Sequence, residues 1–257
     1  MKRLFIFILP FFHFVNCSAQ TMEDYNARAI ERVYAKDYLG AIEEFKKILE
    51  IDPKHSFTYF DIGIMKNYLH DHKGAVEYFS KAIDIDTTNP DYYYLRGLAK
   101  DELKDPKGAI ADYSKALNIE PENADAHYCR GFAKSNLNDY AGAIKDYNQA
   151  IEYTPNHARA FANRGWAKAQ LSDLAEALTD CNKAIELDPN YIKAYYYRGW
   201  IKAESKDCFA AIADYVKAIE LDPKEENEYF LNGNSKRLDH FKKDLKKYDK
   251  ETDFISS

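Results

Sequence analysis

Histidine, cysteine and acidic side chains are the groups that could bind a metal ion or act as nucleophiles in this chain of 257 residues. Their densest cluster is His70-Asp71-His72, a combination of ligand types that Zn²⁺ accepts. A zinc site would need further ligands from elsewhere in the fold. The chain also lacks a nucleophile motif, a glycine-rich phosphate loop and a pair of catalytic carboxylates. We therefore expect no catalytic residues, no metal site and no cofactor, and we do not expect an enzyme.

Arginine and carboxylate residues recur in this chain with a constant separation of 16 residues. Four such pairs are predicted to be structural ion pairs: Arg96 with Asp112, Arg130 with Asp146, Arg164 with Asp180, and Arg198 with Asp214. Arg28 and Glu44 form a fifth pair with the same separation. At the corresponding places between this pair and Arg96 with Asp112, the chain has Ile62 and Tyr78, so both charges are absent there together. A guanidinium can pair bidentately with a carboxylate in a partly buried setting, so we expect each pair to connect two helices. The alternative is a row of arginines that binds an anionic ligand.

These pairs belong to a period of 34 residues that organises the chain. Glycine recurs at that interval, and so does alanine, at Gly63, Gly97, Gly131, Gly165, Gly199 and Gly233 and at Ala41, Ala75, Ala109, Ala143, Ala177 and Ala211. Aspartate occupies the sixteenth position of six successive units and is predicted to cap the second helix of each. A fixed period of this size is typical of a repeat architecture. In spacing and in its small residues, the unit resembles the tetratricopeptide repeat.

The resemblance implies an all-α fold, a right-handed superhelical α-solenoid of helix-turn-helix units with a C-terminal capping helix. Each unit cannot bury its apolar face alone, so stacked neighbours are expected to build one continuous core. Residues 226–257 are expected to form a partial repeat and the capping helix, followed by a frayed tail. Six repeats precede that segment, at residues 22–55, 56–89, 90–123, 124–157, 158–191 and 192–225.

Aromatic residues recur at the places that the family exposes on the concave surface, where ligands commonly bind. Positions 5, 9 and 12 of the first helix fall on one stripe, and both tryptophans of the chain stand at position 9. Aromatic side chains suit recognition surfaces, and nearby amides can bond a peptide backbone. The predicted protein-binding groove therefore consists of Tyr94, Tyr128, Phe132, Asn136, Asn163, Trp166, Gln170, Tyr196 and Trp200. Packing between neighbouring helices is the alternative role for position 9.

The first 20 residues do not follow the period and are predicted to be a signal peptide. Lys2 and Arg3 precede an apolar run that is too short to span a membrane, and small residues around Ser18 suit a cleavage site. A lipid anchor at Cys17 is the alternative, although the residues before it depart from the bacterial lipobox. The protein is therefore expected to be exported, and periplasmic or associated with the outer membrane if bacterial, with no integral membrane span.

Net charge restricts the class of partner. The chain carries a formal charge of −6, whereas binding to nucleic acid requires a cationic face. We therefore expect a protein or peptide partner and no nucleic acid. The resemblance and the predicted signal peptide together lead us to expect a non-catalytic interaction scaffold of the cell envelope that binds a protein segment in the concave aromatic groove. The alternative is a structural or assembly subunit of an outer-membrane or secretion complex.

Overall fold

The computed structural model describes residues 21–221, and these residues form twelve α-helices and no strand. The odd-numbered helices are α1 (Met22–Tyr34), α3 (Ser56–Tyr68), α5 (Pro90–Glu102), α7 (Ala124–Asn136), α9 (Ala158–Gln170) and α11 (Ile192–Glu204). The even-numbered helices are α2 (Tyr38–Ile51), α4 (His72–Ile85), α6 (Pro106–Ile119), α8 (Tyr140–Tyr153), α10 (Leu174–Leu187) and α12 (Cys208–Leu221). Every helix starts 34 residues after its counterpart in the preceding pair. The described part of the chain is therefore an all-α solenoid of six helix-turn-helix units, as the repeat pattern predicts.

Aspartate caps all six even-numbered helices of residues 21–221, which confirms the predicted caps. The side chain of Asp139 accepts a hydrogen bond of 2.9 Å from the backbone N–H of Gly142, and Asp37, Asp71 and Asp105 do the same at the equivalent places. Such a carboxylate satisfies an amide that has no partner within the helix and interacts favourably with the helix dipole. Each cap therefore fixes the residue at which the second helix of a unit begins.

The turn before each cap places one non-glycine residue in the left-handed region. Lys104 has a φ of 61°, and Lys36, His70, Asn138, Ser172 and Lys206 have values between 57° and 69°. The next backbone N–H then reaches back across the end of the first helix, as Asp105 N–H does to the carbonyl of Lys100 at 2.9 Å. This hydrogen bond ends the helix in the Schellman manner. Of these six residues, only His70 and Asn138 are of types that are enriched in such a conformation.

Small residues let the two helices of a unit approach closely. A Cβ added at Gly131 would lie 2.9 Å from the ring of Tyr147, and Ala143 is fully buried beside that ring. Tyr147 itself has no exposed surface, so it fills the space between α7 and α8. The core is thus a series of small clusters between successive helices and not the one continuous core that the repeat pattern predicts, because each helix pair packs only against its neighbours.

The odd-numbered helices form the inner row of the stack. Each of them contacts the next odd-numbered helix from α3 to α11, in addition to the even-numbered helices on either side. No pair of even-numbered helices within residues 21–221 has contacts of comparable extent. The odd-numbered row is therefore more tightly curved and provides the concave face.

Some predicted segments lie outside the described residues. These are the signal peptide at 1–20 with Cys17, the last residues of the sixth repeat, and the partial repeat and capping helix at 226–257. Among residues 21–221, every helix is too short or too polar to cross a bilayer.

Candidate functional site

The arginine and aspartate residues that recur with a 16-residue separation lie side by side between the two helices of each unit. Nε of Arg130 donates to Oδ2 of Asp146 at 3.0 Å, and Nη2 donates to Oδ1 at 2.6 Å. The pairs that start at Arg96, Arg164 and Arg198 have the same bidentate geometry. Arg28 donates to Glu44 through Nε at 2.9 Å. All four predicted pairs are therefore close enough to form charge-assisted hydrogen bonds.

Each of these carboxylates also contacts a lysine that sequence reasoning missed. Lys134 Nζ lies 2.8 Å from Asp146 Oδ2, and Lys100, Lys168 and Lys202 contact their own aspartates at 2.7–2.9 Å. The lysine stands four residues after the arginine, which puts both cations on one side of the first helix. A recurrence of lysine at the 34-residue period was the signal in the sequence. The unit is therefore a triad of two cations and one acid.

The third nitrogen of each arginine connects its unit to the preceding one. Nη1 of Arg130 donates to the hydroxyl of Ser114 on α6 at 3.1 Å, and Arg96 donates to Ser80 at 3.0 Å. Arg164 and Arg198 make the same bond, at 2.7 Å, to the side-chain oxygens of Asn148 and Asn182. These guanidinium groups bond an acid within the unit and a neutral oxygen across the junction. The hydrogen-bonding groups of these arginines are therefore used within the stack, which argues against a row of arginines that binds an anionic ligand.

Burial and charge act against each other at the central acid of the triad. Asp146 is 3% exposed, and burial by itself raises the pKa of a carboxyl group. The hydrogen bonds and charges around it, including those of Arg130 and Lys134, outweigh burial and hold its pKa well below the usual range. His127 makes no hydrogen bond to Asp146, since its Nδ1 lies 3.7 Å from that carboxylate. Its Nε2 is hydrogen-bonded to the carbonyl of Pro121 instead. Asp146 is therefore ionised wherever the protein is folded at ordinary pH.

An aromatic cluster stands on the inner row at α9 and α11. The ring of Trp166 lies 5.1 Å from that of Trp200 in an edge-to-face arrangement and 4.9 Å from that of Tyr197 in a stacked one. Tyr196 packs 6.1 Å from Tyr197 on its other side. All four rings are half-buried, so they pack against one another and still present surface to the solvent. Offset and edge-to-face pairs of this kind are the favoured geometries of aromatic contacts.

Asn163 departs from the role expected for it. The residue is 4% exposed, and its Nδ2 donates to the carbonyl of Arg159 at 2.9 Å and to the hydroxyl of Tyr128 at 3.2 Å. Its Oδ1 accepts from the hydroxyl of Tyr197 at 3.5 Å. The amide of the fifth unit therefore connects a tyrosine ring of the fourth unit with one of the sixth beneath the inner face. Burial of position 6 between neighbouring helices explains why this asparagine is not a surface donor.

The remaining predicted groove residues occupy the same inner row at different depths. Tyr94, Tyr128 and Phe132 are half-buried, as is Gln170 at the end of α9, while Asn136 at the end of α7 is exposed. The hydroxyl of Tyr94 lies 3.8 Å from Sγ of Cys129. The structure thus brings the aromatic members into one continuous row and leaves the two amides at its edge.

The first two units contain groove features that sequence reasoning did not select. Exposed apolar side chains lie on α1 and α3, where Ile30 is 43% exposed, Tyr34 85%, Phe57 56% and Tyr68 58%. A cleft of about 320 Å³ opens beside Phe57, and Asp61 is part of its lining. Positions 2, 9 and 13 of these helices are the ones that carry the exposed residues. Their apolar character was the available signal, although the cleft itself depends on how α1, α2 and α3 pack.

The histidine and cysteine residues have ordinary structural partners. Asp71 caps α4 and pairs with Lys66 at 2.8 Å, and Nδ1 of His72 lies 3.1 Å from Oδ1 of Asn67. Residues 21–221 contain no group of three or more side chains that could hold a metal ion. Cys181 is buried and Cys208 is exposed, and both are free thiols.

Comparisons with known proteins agree with the helix pairs. A family model described as TPR repeat matches residues 102–137 and 136–172, and one described as Tetratricopeptide repeat matches residues 158–191. No curated protein matches the chain.

Several solved structures have the same fold. The chain is 26% identical to the crystal structure of MamA protein, covering 67% of this chain and 94% of that one, with a TM-score of 0.62. It is 25% identical to YrrB, described as a TPR protein with an unusual peptide-binding site, over 70% of this chain and 93% of that one, with a TM-score of 0.60. PilW, described as a type IV pilus biogenesis factor, is 19% identical over 84% of this chain and 100% of its own, with a TM-score of 0.69, and shows likeness of fold. On these matches residues 102–191 are tetratricopeptide repeats, and the helix pairs before and after them continue the same architecture.

Proposed function

We propose that this protein is a non-catalytic scaffold of the cell envelope that binds a segment of a partner protein along its inner row of helices. The observation that carries the proposal is the half-exposed cluster of Trp166, Tyr197 and Trp200, which spans two neighbouring units of the concave face. Aromatic rings at the centre of an interface supply most of the binding free energy in many complexes. The description of YrrB as a peptide-binding tetratricopeptide repeat protein supports the same use of this fold.

Charge along the inner row adds direction to the proposed site. Asp91 and Asp125 are exposed on α5 and α7, whereas Arg159 is exposed on α9. A bound segment would therefore meet acids near the middle of the stack and a base near the aromatic cluster. Complementary charges of this kind fix the register of a partner and raise its association rate more than its affinity.

Loss of binding in tryptophan variants tests the groove. The protein and its Trp166→Ala and Trp200→Ala variants are used to capture partners from envelope extracts, and the captured protein is then titrated against each variant. Each substitution is expected to weaken binding by about 1–3 kcal/mol, as aromatic anchors do. Circular dichroism must show that both variants keep the helical content of the unsubstituted protein. If both variants are folded and bind the partner with unchanged affinity, the inner row is not the binding site.

An assembly role on the outer face is the second candidate. Leu39 on α2 and Phe209 on α12 stand at the same position of the first and last units and are 64% and 71% exposed. The four units between them have lysine or alanine at that position. A Leu39→Ser and Phe209→Ser double variant that loses the captured complex, while the tryptophan variants retain it, would favour this role over the groove.

The envelope location rests on the N-terminal segment and is tested separately. N-terminal sequencing of the protein from its native cells should begin near Gln20 or Thr21. A lipid on Cys17 would replace simple cleavage by membrane anchoring, and an intact Met1 would contradict export altogether.

A further inference from the structure

A cleft of about 320 Å³ opens where α1, α2 and α3 meet, at the first end of the inner row. Its volume is at the small end of the range for pockets that take part of a ligand, so it suits one long side chain rather than a folded element. The lining combines apolar and acidic groups, chiefly those of Met22, Glu23, Ile48, His55, Phe57 and Asp61. The cleft thus has a hydrophobic wall and a negative end.

Asp61 is the unusual member of this lining. It makes no hydrogen bond or ion pair within residues 21–221, and burial raises its pKa to about 6. Asp61 is half-buried, and the fully buried aspartates of the stack behave differently, since Asp146 contacts an arginine and a lysine. An ionised carboxylate that is buried without a partner costs free energy, so this aspartate contributes nothing to the stability of the fold at neutral pH. A cation that arrives from outside would remove that cost.

We propose that this cleft is a socket for a lysine or arginine side chain of the bound protein segment. Such a side chain would lay its aliphatic stem along Met22, Ile48 and Phe57 and bring its charged end to Asp61, because long basic side chains bury their stems against apolar surface. Glu23 adds a second negative charge at the mouth, while His55 already shares a hydrogen bond of 2.8 Å with the hydroxyl of Thr58. The inference rests on the proposed function, since it specifies the chemistry of the partner at one end of the same groove.

The distance between the socket and the aromatic cluster sets the length of the segment. Four steps along the inner row separate the α1–α3 junction from the α9–α11 junction. Packed helices lie about 10 Å apart, so the two sites are about 40 Å from each other. An extended chain covers at most about 3.3–3.6 Å per residue, which makes about 12 residues the shortest span. The matching segment therefore has a basic residue and an apolar or aromatic residue at least about 12 positions apart.

A peptide library tests this prediction directly. Random 16-residue peptides displayed on phage are selected on the purified protein, and the best binders are synthesised. Each peptide is then titrated against the unsubstituted protein, Asp61→Asn and Trp166→Ala, and its basic residue is replaced by norleucine. Asp84→Asn is the matched control, because Asp84 is an exposed aspartate on α4 and its substitution removes the same charge from the outer side of the stack.

The expected result is a selection for one basic residue whose effect depends on Asp61. Asp61→Asn should weaken binding about tenfold or more, as the loss of one partner of a desolvated charge pair does, while Asp84→Asn should leave it unchanged. The norleucine peptide should bind the unsubstituted protein as weakly as the original peptide binds Asp61→Asn, and combining the two changes should cause little further loss.

Other outcomes separate this inference from the proposed function. Peptides that need Trp166 but bind Asp61→Asn normally would overturn the socket and leave the groove in place. Peptides that need Asp61 but not Trp166 would support the socket and contradict the aromatic groove. If no peptide depends on either residue, both proposals are wrong.

Discussion

The triads recur from unit to unit and so form a ladder along the stack. This ladder predicts how the stability of the fold changes when one side chain of a triad is removed. In Arg130→Leu, Asp146 would lose a bidentate partner but keep Lys134 at 2.8 Å, and Ser114 would lose its donor across the junction. A lost hydrogen bond to a charged group costs about 1.5–3 kcal/mol, and the remaining lysine offsets part of it. We therefore expect the free energy of unfolding to fall by about 1–2 kcal/mol.

Removal of the acid should cost more than removal of the arginine. Asp146→Leu would leave Arg130 and Lys134 together without a carboxylate, and breaking a buried ion pair in this way costs about 3–5 kcal/mol. The arginine and lysine side chains are 19% and 22% exposed, so water can reach them and the expected loss is closer to 2–4 kcal/mol. The double variant should lose less than the sum of the two single losses by about 1 kcal/mol or more.

Urea unfolding followed by circular dichroism at pH 7 measures these losses. The second unit supplies a matched control, since it has Ile62 and Tyr78 where the others have the arginine and the acid. An Arg130→Ile and Asp146→Tyr double variant copies that arrangement and should be closer in stability to the unsubstituted protein than Asp146→Leu is. Strictly additive losses for Arg130→Leu and Asp146→Leu would show that the two side chains do not interact, and the ladder would then have no energetic role.

Three further predictions follow from individual residues. Tryptophan emission should shift or be quenched when a partner binds, and this change should be reduced in Trp166→Ala and in Trp200→Ala; an unchanged spectrum at saturation would place the partner elsewhere. Asp61→Asn should raise the free energy of unfolding by about 1–2.5 kcal/mol at pH 7, because the raised pKa makes the folded state bind a proton more tightly than the unfolded state. The unsubstituted protein gains the same free energy when Asp61 is protonated, as the pH falls from about 6 to about 4. The stability advantage of Asp61→Asn should therefore vanish below about pH 4. An advantage that is independent of pH would refute the raised pKa of Asp61. Lys104→Gly should stabilise the protein by about 0.5–1 kcal/mol in urea unfolding, since glycine adopts the left-handed turn without steric cost; a destabilised variant would mean that the lysine side chain contributes more than its backbone strain removes.

The repeat period predicts the fold well because it constrains local structure and packing at the same time. Each Asp cap fixes a helix start, and each fully buried alanine, such as Ala143, fixes where two helices touch. Pairing of the arginines with their acids could also be predicted, since the charges vary together in the second unit. The lysine of the triad was harder to predict, because the second unit keeps a lysine, Lys66, although it lacks the arginine and the acid. Lys66 contacts Asp71 instead, so the lysine does not vary together with the pair.

The depth of a side chain in the groove was less predictable than its position. Asn163 and Tyr128 both lie on inner-row helices, yet the asparagine is buried and the tyrosine is half-buried. The burial of Asn163 depends on the two neighbouring units, which supply Tyr128 and Tyr197 as partners of its amide. A contact that involves three units of a stack is a tertiary property, and no single repeat contains it.

The junction between the first and second units shows how the ladder and the cleft are related. Every later junction has an arginine that bonds a serine or asparagine of the preceding unit, but the second unit has Ile62 at that position. Ile62 is fully buried and packs into the apolar cluster of α1, α2 and α3 with Ile48 and Met65. Hydrophobic packing replaces directional hydrogen bonds there, and it does not fill the space beside Asp61. The same change in sequence thus interrupts the row of arginine bonds and coincides with a junction at which an acid without a partner lines a cleft. This junction is where we expect a basic side chain of the partner to bind.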